Sequence, residues 1–286
     1  MKFWRRVLCG LIALVSAGLA QAGNDQGLSV SSSATHFAFS EFNDQGNEAV
    51  KERGIVYGGK VDFRKRWDRL YIGARLDGGR GTVDYDGLRQ LGDAPTPYQT
   101  QTTETIWDGS FQIGRVYESW RTFDFSVIYA GVGYHQWVRD IKTRVLIEEG
   151  VSKRVLGPFE VYRWAYVQVG ARGFLFRTDR MFVLVDFNLL RTVAPSMTAN
   201  LKGLYDDQKL ELGTHFSGRI SMPVRYEITH KWLLSLEPFY EAWDIGRSEH
   251  VPLTEEGGSM TSMGSHQPRS TSRHFGADFG IQYEFN

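Results

Sequence analysis

Two aspartates, Asp84 and Asp86, stand two residues apart in the stretch VDYDG. If this stretch is a β-strand, both carboxylates point to the same face, because side chains alternate along a strand. Two neighbouring carboxylates disfavour each other's ionisation, so one can be charged while the pKa of the other is raised, giving a base and a proton source. The alternative is that both are ordinary solvated residues at a loop entry, where Asp is common because it forms turns.

The elements that position these residues are predicted to be β-strands. Apolar and polar residues alternate with a period of two throughout the chain, without a convincing stretch of helical period. In the closing stretch HFGADFGIQYEFN, Phe275, Phe279 and Ile281 share one face, and Asp278 and Gln282 share the other. Ten strand segments are predicted, at about 28–42, 52–64, 69–85, 104–117, 122–139, 158–175, 180–195, 208–227, 231–246 and 271–285.

Charged residues recur on the polar face of these strands. The predicted inward set is Lys60, Asp62, Arg75, Asp77, Glu211, Arg219, Glu237 and Glu241, with Leu210 and Leu212 on the opposite face. A buried charge must be compensated, so we expect these side chains to form ion pairs that fill a narrow interior. A path for substrate or ions is the alternative.

The connections between the strands alternate in length. Tight turns are predicted at residues 65–68, 118–121, 178–179 and 229–230, and long loops at about 43–51, 86–103, 140–157, 196–207 and 247–270. Short turns at one end and long loops at the other are typical of outer-membrane barrels. We therefore predict an all-β fold, a ten-stranded antiparallel up-and-down transmembrane β-barrel, with strands extending beyond the membrane on the side of five extracellular loops. A soluble β-sandwich is the alternative.

Tryptophans fall near both ends of the predicted strands. Trp67, Trp120 and Trp232 lie at the short-turn ends, and Trp107, Trp137 and Trp243 toward the long-loop ends, whereas Trp164 is ambiguous. Such rings favour the two interfaces of a membrane, so we expect these six to form two outward girdles. A barrel of about eight to ten strands is too narrow for a wide aqueous channel, which disfavours a general porin.

Residues 1–22 combine a basic start, an apolar run and the ending Ala-Gln-Ala, which predicts a signal peptide cleaved before Gly23. The remaining residues 23–286 are then one outer-membrane barrel domain. Cys9, the only cysteine, lies in the segment to be removed, so disulfides are not expected. The whole chain has 33 Lys+Arg and 33 Asp+Glu, and removal of three basic residues leaves a net charge near −3. This composition argues against nucleic-acid binding.

The stretch LYIGARLDGGRGTVDYDG, residues 70–87, resembles the omptin family, the outer-membrane proteases of Gram-negative bacteria. Omptins have an Ile-Gly-Ala strand there, followed by a Gly-rich stretch and a Val-Asp-x-Asp element at the outer rim. The resemblance in motif covers fewer than twenty residues, although the predicted layout covers the mature chain. It implies that Asp84 and Asp86 are rim aspartates that help to activate a water molecule for peptide-bond attack.

The family pairs those aspartates with an Asp-x-His element across the cleft, and residues 187–208 contain no histidine. Without an imidazole, the water lacks its expected general base. His215, with Glu211 four residues away, is one substitute, and the Glu249-His250 pair in the last loop is another.

Two functions follow from these observations. The missing histidine favours a non-enzymatic surface-binding or structural barrel, and the alternative is an omptin-type surface endopeptidase. Expected partners are outer-membrane lipid, including lipopolysaccharide, and an extracellular peptide or protein at the loops. The sequence has no metal-ligand cluster or phosphate loop, so no cofactor is expected.

Overall fold

The computed structural model describes residues 26–89, 96–117, 124–148, 151–203, 205–255, 258 and 260–285. The predicted signal segment, Trp120 and the turn predicted at residues 118–121 lie outside these ranges. No helix among the described residues is long and apolar enough to cross a membrane. Their strands are β1 (Gly27–Phe42), β2 (Glu48–Trp67), β3 (Leu70–Arg89), β4 (Thr96–Val116), β5 (Asp124–Ile141), β6 (Arg144–Glu148), β7 (Val151–Val155), β8 (Phe159–Arg177), β9 (Met181–Asn200), β10 (Gln208–Glu211), β11 (Phe216–Ser221), β12 (Val224–Thr229), β13 (Trp232–Ile245), β14 (Val251–Thr254), β15 (Met260–Ser265) and β16 (Ser270–Glu284).

These strands build the ten walls of a closed barrel. Going round the barrel, the walls are β1, β2, β3, β4, β5, β8, β9, then β10 to β12 together, β13 and β16. Every neighbouring pair is antiparallel, and β16 pairs with β1 from Gly27 opposite Glu284 to Glu41 opposite Ser270. This last pairing closes the sheet. The prediction of an all-β, ten-stranded antiparallel barrel is confirmed.

The strands reach further on the long-loop side than the sequence predicted. β2 begins at Glu48 and β4 at Thr96, several residues earlier than the alternation indicated. Two of the predicted long loops contain hairpins, β6–β7 and β14–β15. The eighth predicted strand is instead divided into β10, β11 and β12. Paired strands therefore form much of the rim above the barrel.

An apolar band surrounds the lower part of the barrel, next to the short turns. In β16, Phe275, Phe279 and Ile281 are exposed on the outside, whereas Asp278 and Gln282 are buried inside, as the alternation predicted. Exposed aromatic residues border the band: Trp67, Tyr117, Tyr226 and Trp232 on the turn side, and Tyr57, Trp107, Tyr134 and Tyr240 on the loop side. Two such girdles are typical of the membrane interfaces of an outer-membrane barrel.

Above this band the two faces of the wall exchange character. Phe37 and Phe39 of β1 are buried in the interior, and in β3 Val83 is buried while Asp84 and Asp86 are exposed outside. A wall surrounded by lipid keeps its apolar side chains outside, whereas a wall surrounded by water keeps them inside. The exchange marks the level at which the strands extend beyond the lipid.

The predicted girdles are correct for three tryptophans and wrong for two. Trp67, Trp107 and Trp232 are exposed on the outer surface, with exposed fractions of 41%, 47% and 44%. Trp137 and Trp243 are only 2% exposed and lie in the interior. Both are above the apolar band, where large apolar rings are buried on the inner face. Their position near a strand end was therefore not sufficient to assign them to a girdle.

A β-bulge in β9 changes which side chains face the interior. Ala194 has a positive φ of 47°, and it and Val193 are both exposed, so the alternation shifts by one residue. β10 pairs with the shifted part of β9, which buries Leu210 and Leu212 inside and exposes Glu211 outside. The predictions that Glu211 faces the lumen and that Leu210 and Leu212 face lipid are therefore wrong. A shift of one residue moves every following side chain to the other face.

Candidate functional site

Asp84 and Asp86 lie near the loop end of β3, on the outer surface of the barrel. Both are exposed and share one face, as their spacing predicted. β2 places Arg53 opposite Asp84 and Lys51 opposite Asp86, so each carboxylate has a basic cross-strand neighbour. Such pairs contribute about 0.2–1 kcal/mol each. The two aspartates belong to a mixed-charge outer surface and do not point into the mouth of the barrel.

A groove of about 590 Å³ runs past the two aspartates, and β4 with the segment before β6 forms its other side. Lys142 is fixed there, because its Nζ donates to Oε1 of Gln101 at 2.9 Å and its carbonyl oxygen accepts from Oγ1 of Thr100 at 3.0 Å. Arg144 also donates to the carbonyl oxygen of Gln99. These contacts hold the base of the β6–β7 hairpin against β4. The groove therefore has one side that is held in place by hydrogen bonds.

The other predicted site residues are not brought to the aspartates. Glu211 and His215 belong to the eighth wall, which lies half-way round the ten-walled barrel from β3. Glu211 is exposed on the outside, whereas His215 is half-buried and follows the inward alternation of β11. His250 lies in the last loop, with its ring centroid 4.1 Å from that of His266. None of these candidates supplies the imidazole that the aspartate pair would need.

The lower part of the lumen contains a buried ion pair with tyrosine partners. Nε of Arg172 contacts Oδ2 of Asp186 at 2.8 Å, and the hydroxyl of Tyr129 donates to Oδ1 of the same carboxylate at 2.5 Å. Arg172 also donates to the hydroxyl of Tyr71 at 3.2 Å. The arginine and the aspartate are 3% and 6% exposed. These contacts fill the barrel near its turn end.

A second network crosses the middle of the lumen. Nζ of Lys60 contacts Asp278 at 2.5 Å and Glu237 at 2.9 Å, and Arg219 contacts Glu241 at 3.0 Å. The predicted inward residues Arg75 and Asp77 also pair with each other, at 2.8 Å. The sequence-based expectation that inward charges are compensated by ion pairs agrees with these distances. Charges arranged in this way fill the lumen and satisfy one another.

A small cavity lies beside this network. Its volume is about 60 Å³, and Asp108, His135, Glu241 and His274 are among its lining residues. Nδ1 of His135 lies 3.0 Å from Oδ2 of Asp108. At roughly 10–15 Å³ per molecule, the cavity has room for a few waters but not for an organic substrate. No group of three or more His, Cys, Asp or Glu side chains in the described residues could hold a metal ion.

The upper lumen is closed by aromatic rings and one buried arginine. Trp137, Tyr162, Trp164 and Trp243 are at most 3% exposed, and they belong to a cluster that also contains Phe37, Phe39, Leu210 and Leu212. Arg139 lies among the rings, with its guanidinium 4.3 Å from the ring centroid of Phe39. Its carboxylate partners are Glu41, Glu52, Glu104 and Glu160. The described residues therefore close the lumen above the ion-pair networks.

The sequence analysis missed Arg139 and its partners. The sequence did contain a signal for them. In β4, Glu104 and Asp108 are four residues apart and share a face, and in β5 the same is true of His135 and Arg139. Their tryptophan neighbour at position 137 has the same parity as the two β5 residues. Counting parity from the polar positions of each strand would have assigned all of them to the interior.

The comparisons with known proteins identify the fold. No protein-family model matches the chain, and no curated protein matches it by sequence. Among solved structures, the outer membrane protease OmpT from Escherichia coli is similar with a TM-score of 0.58 and 10% identity, over 93% of this chain and 99% of that chain. The fold is that of bacterial outer-membrane barrels.

Two further solved structures are similar to the chain at lower TM-scores. The transport unit of the autotransporter AIDA-I from Escherichia coli has a TM-score of 0.42 and 10% identity, over 97% of both chains. The toluene transporter TodX from P. putida has a TM-score of 0.36 and 10% identity, over 92% of this chain and 91% of that chain. At such identities activity does not follow from structural similarity.

Proposed function

We propose that the protein is an outer-membrane barrel with a closed lumen, which binds an extracellular peptide or protein segment at its rim without cleaving it. The observation that carries this proposal is the groove beside Asp84 and Asp86, whose other side is held by hydrogen bonds to β4. The groove combines these carboxylates with the basic side chains of Lys142 and Arg144. Concave surfaces with a few fixed polar groups are common binding sites.

One probe can test binding and cleavage together. A quenched fluorescent peptide containing a Lys-Arg pair is added to the refolded protein, and anisotropy reports binding while dequenching reports cleavage. We expect saturable binding without turnover. Replacing Asp84 and Asp86 by Asn should weaken binding by about 1.4- to fivefold per lost charge pair, which corresponds to roughly 0.2–1 kcal/mol for an exposed ion pair.

The matched control is Asp68→Asn, which removes an exposed aspartate at the turn end of the barrel. Asn tolerates its positive φ of 48°. Equal binding by the wild type and the double variant, or an equal loss in the control, contradicts the proposed groove.

The second candidate is an omptin-type surface endopeptidase in which Asp84 and Asp86, the rim aspartate pair, activate water. The whole-length fold similarity to OmpT favours it. In that case the wild type dequenches the peptide in the presence of lipopolysaccharide, and Asp84→Asn does not. Turnover that depends on Asp84 would replace the binding proposal by this one.

The lipid partner is proposed to be the outer leaflet, including lipopolysaccharide. Arg80, Arg163 and Arg191 are exposed on the outer surface at or above the loop side of the apolar band. Each basic side chain at this level contributes about 1 kcal/mol to the free energy of binding anionic headgroups. A triple Arg→Gln variant should lose most of the thermal stabilisation that lipopolysaccharide vesicles give the wild type. An Arg69→Gln variant, changed at the turn end, should retain it.

The outer-membrane location has its own test. The unboiled protein should migrate differently from the boiled protein on gels and should fractionate with the outer membrane. Solubility of the mature chain without detergent contradicts the location.

A further inference from the structure

Arg139 is surrounded by carboxylates from four other walls of the barrel. Its guanidinium nitrogens lie 2.6 Å from Glu160, 3.0 Å from Glu52 and 3.2 Å from Glu41, and Nε lies 3.9 Å from Glu104. The arginine is 1% exposed, and the side chains of Glu52 and Glu104 are fully buried. One cation thus faces four acids in the upper lumen.

Among the described residues, the other groups that contact this cluster are neutral. Tyr162 of β8 accepts a hydrogen bond from Arg139 and donates one to Glu160. Tyr85 of β3 faces the cluster, and burial raises its pKa. Gln267, which precedes β16, donates to Glu41 at 3.3 Å. If all four carboxylates were ionised, the buried cluster would carry a charge of three minus, which is strongly unfavourable in a low-dielectric interior.

Protons that remain on some of the carboxylates reduce this excess of negative charge. Burial raises the pKa of Glu160 to about 7, although Arg139 opposes the shift. Burial and the neighbouring Glu52 raise the pKa of Glu104. Both glutamates lie above the girdles, outside the lipid-facing part of their strands. A neutral Glu104 can donate to a carboxylate neighbour, which removes both a charge and an unpaired buried oxygen.

The contacts connect walls that are not neighbours. β5, which carries Arg139, is hydrogen-bonded to β4 and β8, whereas Glu41 and Glu52 come from β1 and β2 on the far side of the lumen. β1 ends at Phe42, one residue after Glu41, and the β6–β7 hairpin starts five residues after Arg139. The cluster therefore ties the bases of two rim segments together across the mouth of the barrel.

We propose that the Arg139 cluster is a proton-dependent latch, which holds the barrel mouth closed while its carboxylates share protons and loosens when they are lost. This regulation does not depend on which ligand or reaction the rim serves. The sign follows from linkage. A carboxylate whose pKa is raised in the closed state favours closure at low pH, and this stability is lost as the pH rises from the free value of 4.5 toward about 7.

Hydrogen exchange measured by mass spectrometry on the refolded full chain in micelles tests the latch. Peptides covering residues 36–42, 100–106 and 136–142 report the cluster, and peptides covering residues 110–116 report the lower barrel. After correction for the intrinsic pH dependence of exchange, a single proton with these pKa values should lower protection in the cluster about thirtyfold between pH 5.5 and 8.5. The lower barrel should change much less.

Variants separate proton binding from a general loss of packing. Glu160→Gln, which is permanently neutral, should keep high protection at both pH values, whereas the rim control Glu48→Gln should behave like the wild type. Glu104→Gln serves as the second variant if the first does not fold, and it should reduce the pH dependence. Wild-type protection that is independent of pH would overturn the latch.

Discussion

Removal of the Arg172 side chain tests whether the lower lumen is closed to water. Arg172→Met leaves the Asp186 carboxylate in the interior without its guanidinium partner, at a site where both residues are nearly fully buried. Breaking a buried pair by removing one partner typically costs about 3–5 kcal/mol, because the remaining charge is uncompensated. We therefore expect the variant to lose roughly this much free energy of unfolding.

A double-mutant cycle adds the change Asp186→Asn, which removes the carboxylate charge that Arg172→Met leaves behind. In the Arg172→Met background it should recover much of the lost stability, so the double variant is more stable than Arg172→Met alone. The measurement is urea-dependent unfolding in lipid vesicles under reversible conditions, followed by tryptophan fluorescence and by gel mobility.

An exposed pair of the same chemistry supplies the control. Arg273 contacts Asp244 at 2.8 Å near the rim, with side chains 38% and 31% exposed. Arg273→Met should cost less than about 1 kcal/mol, as exposed pairs usually do. If Arg172→Met costs no more than this control, water reaches the lower pair and the conclusion that the lumen is filled is wrong.

Three further predictions concern the lipid-facing surface, a close contact between two glycines, and the closed lumen. Phe279 is exposed in the middle of the lipid-facing band, so Phe279→Arg should destabilise folding in vesicles by about 2–4 kcal/mol, and a cost near zero contradicts the assignment of that face. A Cβ on Gly246 would lie 2.4 Å from the carbonyl oxygen of Gly213, so Gly246→Ala should lower the melting temperature, whereas Gly109→Ala, with its nearest contact at 3.6 Å, should not. Planar bilayers containing the wild type should show no porin-like conductance steps, and regular steps would contradict a closed lumen.

The fold was predictable because its signals are local. Alternation along each strand and the contrast between short turns and long loops are visible in the sequence, and β16 has the facing that its pattern predicted. The loop hairpins and the division of the eighth wall were not, because they depend on pairing between distant segments. The positive φ of Ala194 likewise has no strong sequence signal, since alanine rarely adopts it.

The candidate site was less predictable than the fold because a local motif suggests chemistry without specifying which face of the barrel its side chains occupy. Asp77 and Asp84 are an odd number of residues apart in one strand, so they lie on opposite faces of β3. An inward Asp77 therefore already implied an outward Asp84. The same parity argument would have placed Arg139 inside, together with His135.

The exchange of inner and outer character along the strands has one physical cause. Below the loop-side girdle the outside is lipid, and polar side chains such as Lys60 are kept inside; above it the outside is water, and apolar side chains such as Val83 are kept inside. In β3 the alternation of inward and outward side chains continues without a shift. The outward positions change from apolar to polar residues above the girdle, which leaves Asp84 outside. The eighth wall makes the exchange through the bulge at Ala194, which turns Leu210 inward. To assign rim residues to a face of such a barrel, one must therefore first decide whether lipid or water surrounds the wall at that height. The polar and apolar pattern lower in the same strand comes second.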